Sequence, residues 1–242
     1  MIYITGDTHQ LIDFKKIINF RQKMNNKLTK QDYLIIAGDF GFIWSLPDIS
    51  EYKTEQKWLE WFDKECSWTT LFIDGNHENF IRLKYDYPIE NKFDGIVSKI
   101  NDSVYWLHRS QVFTIEDKTI LALGGGTSLD KANRIPFKSW WPDEDITSQD
   151  LMTAYENLKS FNFNVDYVIT HAGPTQLVKL MFKNFKWTYF PDNNSDLLDE
   201  LYSQGFQFKH WYFGHYHLDY TNHAHKFTAL YQDIKELGGD RY

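Results

Sequence analysis

Along the chain, short runs of β-branched, aliphatic and aromatic residues break off abruptly into Gly, Asp, Asn or His. Ile2 to Thr5 leads into Gly6-Asp7-Thr8-His9, Tyr33 to Ala37 into Gly38-Asp39, and Thr70 to Ile73 into Asp74-Gly75-Asn76-His77. Val165 to Thr170 leads into His171, and Trp211 to Phe213 into Gly214-His215-Tyr216-His217. Such runs predict buried strands, each delivering polar residues from its C-terminal end. Between them the spacing turns helical. Leu11, Phe14, Ile17 and Ile18 predict one helix, and Trp58, Trp61 and Phe62 a second. A third is predicted to start at Thr147, capped together with Asp150, and to bury Leu151, Tyr155 and Leu158. Residues 194–203 predict a fourth. Strand alternating with helix implies βαβ units. From about Ile96 to Leu123 the pattern changes to short strands over Val104 to Leu107, Gln111 to Ile115 and Thr119 to Leu123, with a polar turn at Asp117-Lys118. That section predicts antiparallel pairing. The chain has no internal repeat and no low-complexity tract, which excludes solenoids and arrays.

Composition narrows the class. Hydrophobic residues make up 42% and aromatics 18%, with nine Trp, which excludes a disordered chain. No Pro/Gly/Ser-rich stretch or charge run divides the 242 residues, so one domain is expected. Lys plus Arg number 26 against 33 Asp plus Glu, a net charge of −7, which argues against holding nucleic acid or an anionic membrane through bulk charge. A local basic groove is compatible with that balance. Cys66 stands alone, so neither an intramolecular disulfide nor a Cys-based zinc cluster can form, and packing is its expected role. The longest apolar runs, such as Leu34 to Ala37, fall far short of the roughly 20 residues of a membrane span. Met1-Ile2-Tyr3-Ile4-Thr5 carries none of the features of a secretory signal, so the expected location is the cytoplasm.

Five of the nine histidines fall in the strand-end loops, beside Asp7, Asp39 and Asn76. Asp7, His9, Asp39, Asn76, His171, His215 and His217 are too many ligands for one divalent ion and suit two ions sharing a ligand. A carboxylate is the natural bridge, and Asp39 is the candidate. In Asp7-x-His9 and His215-x-His217, alternate residues of an extended segment face one way. Glycines precede the ligands at Gly6, Gly38, Gly75 and Gly214 and permit close backbone approach to a metal or phosphate.

The ordered set Asp7-x-His9, Gly38-Asp39, Gly75-Asn76-His77-Glu78, His171 and Gly214-His215-x-His217 resembles the calcineurin-like metallophosphoesterase superfamily over residues 7–217. The resemblance implies an α+β fold, a four-layer αββα sandwich of two mixed β-sheets flanked by helices, with a dimetal site at the strand ends. It implies one metal on Asp7, His9, Asp39 and His217, and a second on Asp39, Asn76, His171 and His215. His77 matches a histidine that binds no metal and assists the leaving group. A hydroxide bridging both ions would attack phosphorus in line, without a covalent phosphoenzyme. The ligand types suit Mn first, with Fe, Zn, Co or Ni as alternatives. The resemblance implies a phosphate mono- or diester as substrate, with nucleotides and nucleic acids among the classes open to it, and no membrane partner is expected.

One departure bears on substrate. After Gly38-Asp39 the chain reads Phe40-Gly41-Phe42-Ile43-Trp44, without the Asp-Arg-Gly of the phosphoprotein phosphatase branch. A dedicated protein Ser/Thr phosphatase is therefore disfavoured. The segment Gly124 to Arg134 offers replacement phosphate contacts, above all the Arg134 fork. Loops around 130–145 and 177–192, rich in aromatics, are expected to form a cap, most of it packed on the core with a residue or two lining the pocket. Lys131 is expected in solvent, Glu78 in a structural role, His108 and His210 in packing or on the surface, and His223-x-His225 on a solvated strand edge. The alternative reading is a metal-binding scaffold of the same fold without catalysis, and such scaffolds lose the position of His77, which is intact here.

Overall fold

A computed structural model describes residues 1–239 except Asn25 and Asp48. Strands β1 (Ile2–Thr5), β2 (Tyr33–Ala37), β3 (Thr69–Ile73) and β6 (Val104–Leu107) run parallel. Strands β5 (Gly95–Asn101) and β4 (Ile89–Lys92) continue the sheet antiparallel at one edge, and β13 (Lys235–Glu236) pairs antiparallel with β1 at the other. The result is a seven-stranded sheet in the order β13-β1-β2-β3-β6-β5-β4. A second sheet has six strands, β11 (Tyr220–Asn222), β12 (Phe227–Ala229), β10 (His210–Phe213), β9 (Tyr167–Thr170), β8 (Lys118–Leu123) and β7 (Gln111–Ile115), in that order. Its central strands are parallel, with antiparallel hairpins at both edges.

Alternation of side chains explains how the layers stack. Ile35 and Ala37 of β2, Leu71 and Ile73 of β3, Ile120 and Ala122 of β8 and Ile169 of β9 share one core between the sheets. Their neighbours Leu34, Ile36 and Phe72 face outward into a second core with Ile17 and Phe20 of α1 (Lys15–Met24) and Leu59 and Phe62 of α2 (Ser50–Lys64). On the far side, Leu121, Leu123, Val168, Trp211 and Phe213 pack with Leu158 of α4 (Ser148–Ser160), Met181 of α5 (Thr175–Phe185) and Leu201 of α6 (Asn193–Ser203). Four layers with three cores between them form the αββα sandwich expected from the motifs. A strand buried on both faces reads as a continuous apolar run, which is why the strands were plain in the sequence.

Local differences have identifiable causes. Leu11 is exposed and the first helix starts at Lys15, because residues 9–14 form the loop that carries His9. Thr147 and Asp150 form the expected reciprocal cap, but Tyr155 is 41% exposed, packed on Phe163, while Ala154 is buried in its place. The middle section is antiparallel only within its hairpins, since β6 joins β3 and β8 joins β9 in parallel. The tight turn of the second hairpin falls at Glu116-Asp117, where both residues have the positive φ of a two-residue hairpin loop. Helix α3 (Phe80–Tyr85) and α5 were not foreseen. His223 and His225 sit in the turn between β11 and β12 rather than on a strand edge. No helix among the described residues is long and apolar enough to cross a membrane.

Candidate metal centre

The ends of β1, β2, β3, β9 and β10 meet along the seam between the sheets, and the loops beyond them bring all seven proposed ligands together. Two donor sets share Asp39. Its Oδ2 lies 3.0 Å from His9 Nε2, and its Oδ1 lies 3.4 Å from His171 Nε2. On one side, ligand atoms of Asp7, His9 and His217 lie within 4.8 Å of one another. On the other, His171 Nε2 stands 3.2 Å from both Asn76 Oδ1 and His215 Nδ1.

Each ligand is aimed by its own support. His171 Nδ1 donates to Ala37 O at 2.9 Å, which turns Nε2 toward the cluster. His9 Nδ1 meets Asp13 Oδ2 at 2.8 Å, and Asp13 accepts in turn from the Tyr231 hydroxyl at 2.6 Å. Asp7 Oδ1 accepts from the His215 backbone N–H, and Asp39 Oδ1 from that of His77. The His217 ring stacks on Tyr231 with centroids 4.7 Å apart. Asn76 Nδ2 donates to Ser128 Oγ. Glu78 is buried, and its Oε1 accepts the N–H groups of Phe40 and Gly41, pinning the loop that follows Asp39.

The backbone is bent sharply at the same places, so Asp7-x-His9 and His215-x-His217 are turns and not the extended segments expected of them. His9, Asp39, His215 and His217 have φ of 43°, 50°, 69° and 50°, the left-handed region that non-glycine residues occupy at a cost of about 1–3 kcal/mol each. Neighbouring backbone must also come close. A Cβ at Gly75 would collide with the Asp39 carboxylate, and one at Gly214 with that of Asp7.

The electrostatics fit a cation. Asp7 and Asp39 are buried side by side, and the neighbour of Asp7 Oδ2 is His217 Nε2, 3.2 Å away. Burial pushes the carboxyl pKa values up, but the surrounding histidines outweigh it and hold both below the usual range. Burial likewise depresses His9 and His171, yet Asp39 and Asp7 raise them to about 9 and about 10. Burial and the neighbouring His171 push His215 down to about 4. Two buried carboxylates thus draw positive charge from their own ring of imidazoles, the demand that divalent ions meet. The donor set of carboxylate, amide oxygen and imidazole suits hard-to-borderline metals.

His77 lies beside the cluster, its ring centroid 4.8 Å from that of His9 and stacked on Trp44. Burial lowers its pKa. Arg134 Nη2 is 3.4 Å from His77 Nε2, while its Nε pairs with Asp130 at 2.7 Å. Both line a cleft of about 310 Å³ opening from the metal ligands, with Leu129, Phe182, Tyr189 and Phe190 on its walls. The two loops expected to form a cap therefore contribute Asp130 and Arg134 from one and Phe182, Tyr189 and Phe190 from the other. Trp141 is buried against Trp44 in the core.

Other expectations resolve as follows. Lys131 is not a solvated lysine, since it pairs with Glu144 at 3.1 Å and Asp145 at 2.7 Å. His108 bonds Ser98 and packs on Trp106, and His210 is buried against Thr228. Cys66 is buried in the core of α1 and α2. Tyr231 and Ser128 have no signal in the sequence as supports because they reach His217 and Asn76 through tertiary contact, Glu144 acts through Ser128, and Asp13, four residues from His9, belongs to no motif.

The calcineurin-like phosphoesterase family model matches residues 1–219. Among solved structures, that of phosphopantetheinyl hydrolase from Mycobacterium tuberculosis is similar at 12% identity and a TM-score of 0.40, covering 95% of this chain and 87% of that one. No curated protein matches the chain.

Proposed function

Because the chain belongs to the calcineurin-like phosphoesterase family, a family of metal-dependent phosphoester hydrolases, we propose that it hydrolyses a phosphate mono- or diester at the cluster around Asp39. The observation that carries this reading is the position of Asp39, whose two oxygens face two separate donor sets. Asp7, His9, Asp39 and His217 would hold one divalent ion, and Asp39, Asn76, His171 and His215 the other. The chemistry such a pair supplies is Lewis acidity, which acidifies the attacking water and neutralises charge on the phosphoryl oxygens. Mn is the first choice for this donor set.

The chain's own residues would do the rest. Arg134 presents its guanidinium to phosphate oxygens. His77, held by Trp44 and close to Arg134, offers a proton-bearing imidazole to the departing oxygen. Segments 130–145 and 177–192 would act as a cap on a single catalytic domain, selecting the substrate by the walls they add. A nucleotide or nucleic acid is compatible with the aromatic wall, and the lone buried Cys66 agrees with residence in the cytoplasm.

The test is hydrolysis of p-nitrophenyl phosphate and bis-p-nitrophenyl phosphate with Mn²⁺, with chelator, and with Asp39→Asn as the blank. Turnover with Mn²⁺ that chelator and the blank both abolish is expected. Full activity in Asp39→Asn, or no turnover of either ester by the Mn²⁺-loaded protein, would overturn the reading.

A further inference from the structure

Two clefts, not one, open from the metal ligands, and His9 and His77 line both. The first is the aromatic cleft of Phe182, Tyr189 and Phe190. The second, of about 260 Å³, is walled by Ile12, Trp44 and Gly41. The side chains of His9 and His77, packed edge to face, stand between them.

Both clefts present apolar surface. In the first, the Tyr189 hydroxyl is engaged by Thr175 at 2.9 Å and that of Tyr216 by Ser195 at 2.9 Å, so their polar ends are occupied and the rings are left for a ligand. In the second, Ile12 is 84% exposed and lines the cleft together with Trp44, so its side chain is open to a ligand. Phe190, at the rim of the first, is 66% exposed. Lysine and arginine are scarce by comparison. Among the described residues lining either cleft, Arg134 is the one Lys or Arg, and it is paired with Asp130. Asp192 adds a further carboxylate.

A terminal phosphate monoester is largely a dianion with one substituent, and would leave one apolar cleft unfilled. A phosphodiester is a monoanion with two. We propose that the substrate is a phosphodiester bearing an apolar or aromatic substituent on each side of phosphorus, one seated against Phe182 and Phe190 and the other against Ile12 and Trp44. This rests on the phosphoesterase reading above and adds the substrate class. Water's oxygen bonds to phosphorus, one ester P–O bond breaks, and the departing oxygen takes up a proton. The products are a monoester and an alcohol, with no further reactant.

The experiment compares kcat/KM for bis-p-nitrophenyl phosphate and p-nitrophenyl phosphate in the Mn²⁺-loaded protein, Ile12→Ala, Phe190→Ala and the double variant. Both side chains are exposed, so the fold is retained. The diester is the better substrate, each single change lowers its kcat/KM about tenfold, and the double change multiplies the two losses. The monoester responds to one of the two changes at most. Titration calorimetry of the Mn²⁺-loaded His77→Ala protein with diphenyl phosphate reads binding apart from turnover, and Ile12→Ala and Phe190→Ala in that background each weaken it. Metal-dependent turnover that favours the monoester, or a diester rate indifferent to both changes, overturns the proposal and leaves the phosphoesterase reading standing. Hydrolysis of neither ester fails that reading and takes the proposal with it.

Discussion

Asn76 donates from Nδ2 to Ser128 Oγ at 3.2 Å, and so is oriented by a loop 52 residues further along the chain. Ser128 is itself clamped by Glu144, which accepts its N–H at 2.8 Å and its hydroxyl at 2.9 Å. With its nitrogen held there, the amide has only its oxygen to offer to the cluster, 3.2 Å from His171 Nε2.

Replacing Ser128 by Ala removes that restraint while leaving the Glu144 carboxylate its bond to the backbone N–H and its pairing with Lys131. Metal affinity should fall by about 10–100-fold, the usual effect of losing a partner that orients a ligand. Chelator competition measures it. An unchanged affinity would mean that Asn76 holds its orientation without Ser128 or is no ligand.

His77→Ala separates assistance to the leaving group from metal binding. Ligand atoms of His9, Asp39 and His77 also lie within 4.8 Å of one another, so a ligand role is the specific rival. The expected result is full metal content by elemental analysis with kcat reduced by roughly 10²–10⁴-fold. Loss of one metal equivalent would reassign His77 to the ligand set.

The parts legible in the sequence were those whose signal is local. The strand ends carrying Asp7, Asp39, Asn76, His171 and His215 were plain because each strand is apolar on both faces and stops at its ligand. The Thr147 cap is spelled out within four residues. By contrast, α3 is only six residues long, too short to show a helical period, and beyond its Asn79 cap it is tied down by Arg82 reaching Glu55, a tertiary pair with no pattern in the chain. Helix α5 has the apolar face of any amphipathic helix, but its aromatic residues drew attention to a pocket wall instead, and Phe182 is both. The pairing of Lys131 with Glu144 and Asp145 is not legible in the sequence because the turn that brings them together leaves no mark in composition.

Burial pushes the Cys66 thiol well above its ordinary value, with nearby Lys30 and Arg21 too weak to offset it. The raised value keeps the thiol protonated in the folded protein at pH 8, where part of an unfolded thiol ionises, and the thiolate is the reactive form. Disulfide-reagent labelling of the native protein at pH 8 should therefore be negligible over hours and become complete in denaturant. Rapid labelling without denaturant would show that the core around α1 and α2 opens locally.

Glu55 holds together the wall of the second cleft. Its Oε1 accepts from Gln10 Nε2 at 3.0 Å and from the backbone N–H groups of Trp44 and Ser45, and its Oε2 pairs with Arg82 at 2.7 Å. Both side chains of the ion pair are buried, with 4% and 3% exposure, so neither can turn to water if the other is removed. Glu55→Ala would leave the backbone donors of Trp44 and Ser45 unpaired and take one carboxylate from Arg82, which keeps Asp86 at 3.3 Å, Ser45 O and the Tyr87 hydroxyl, a loss of roughly 2–4 kcal/mol. Glu55→Gln keeps an acceptor for Trp44 and Ser45 and should cost less, because only the charge is lost. Chemical denaturation with an unchanged m-value reads the difference. A loss under about 1 kcal/mol for Glu55→Ala would show that the loop from Gly41 to Ser45 is held mainly by buried Phe42 and half-buried Trp44, and not by this pair.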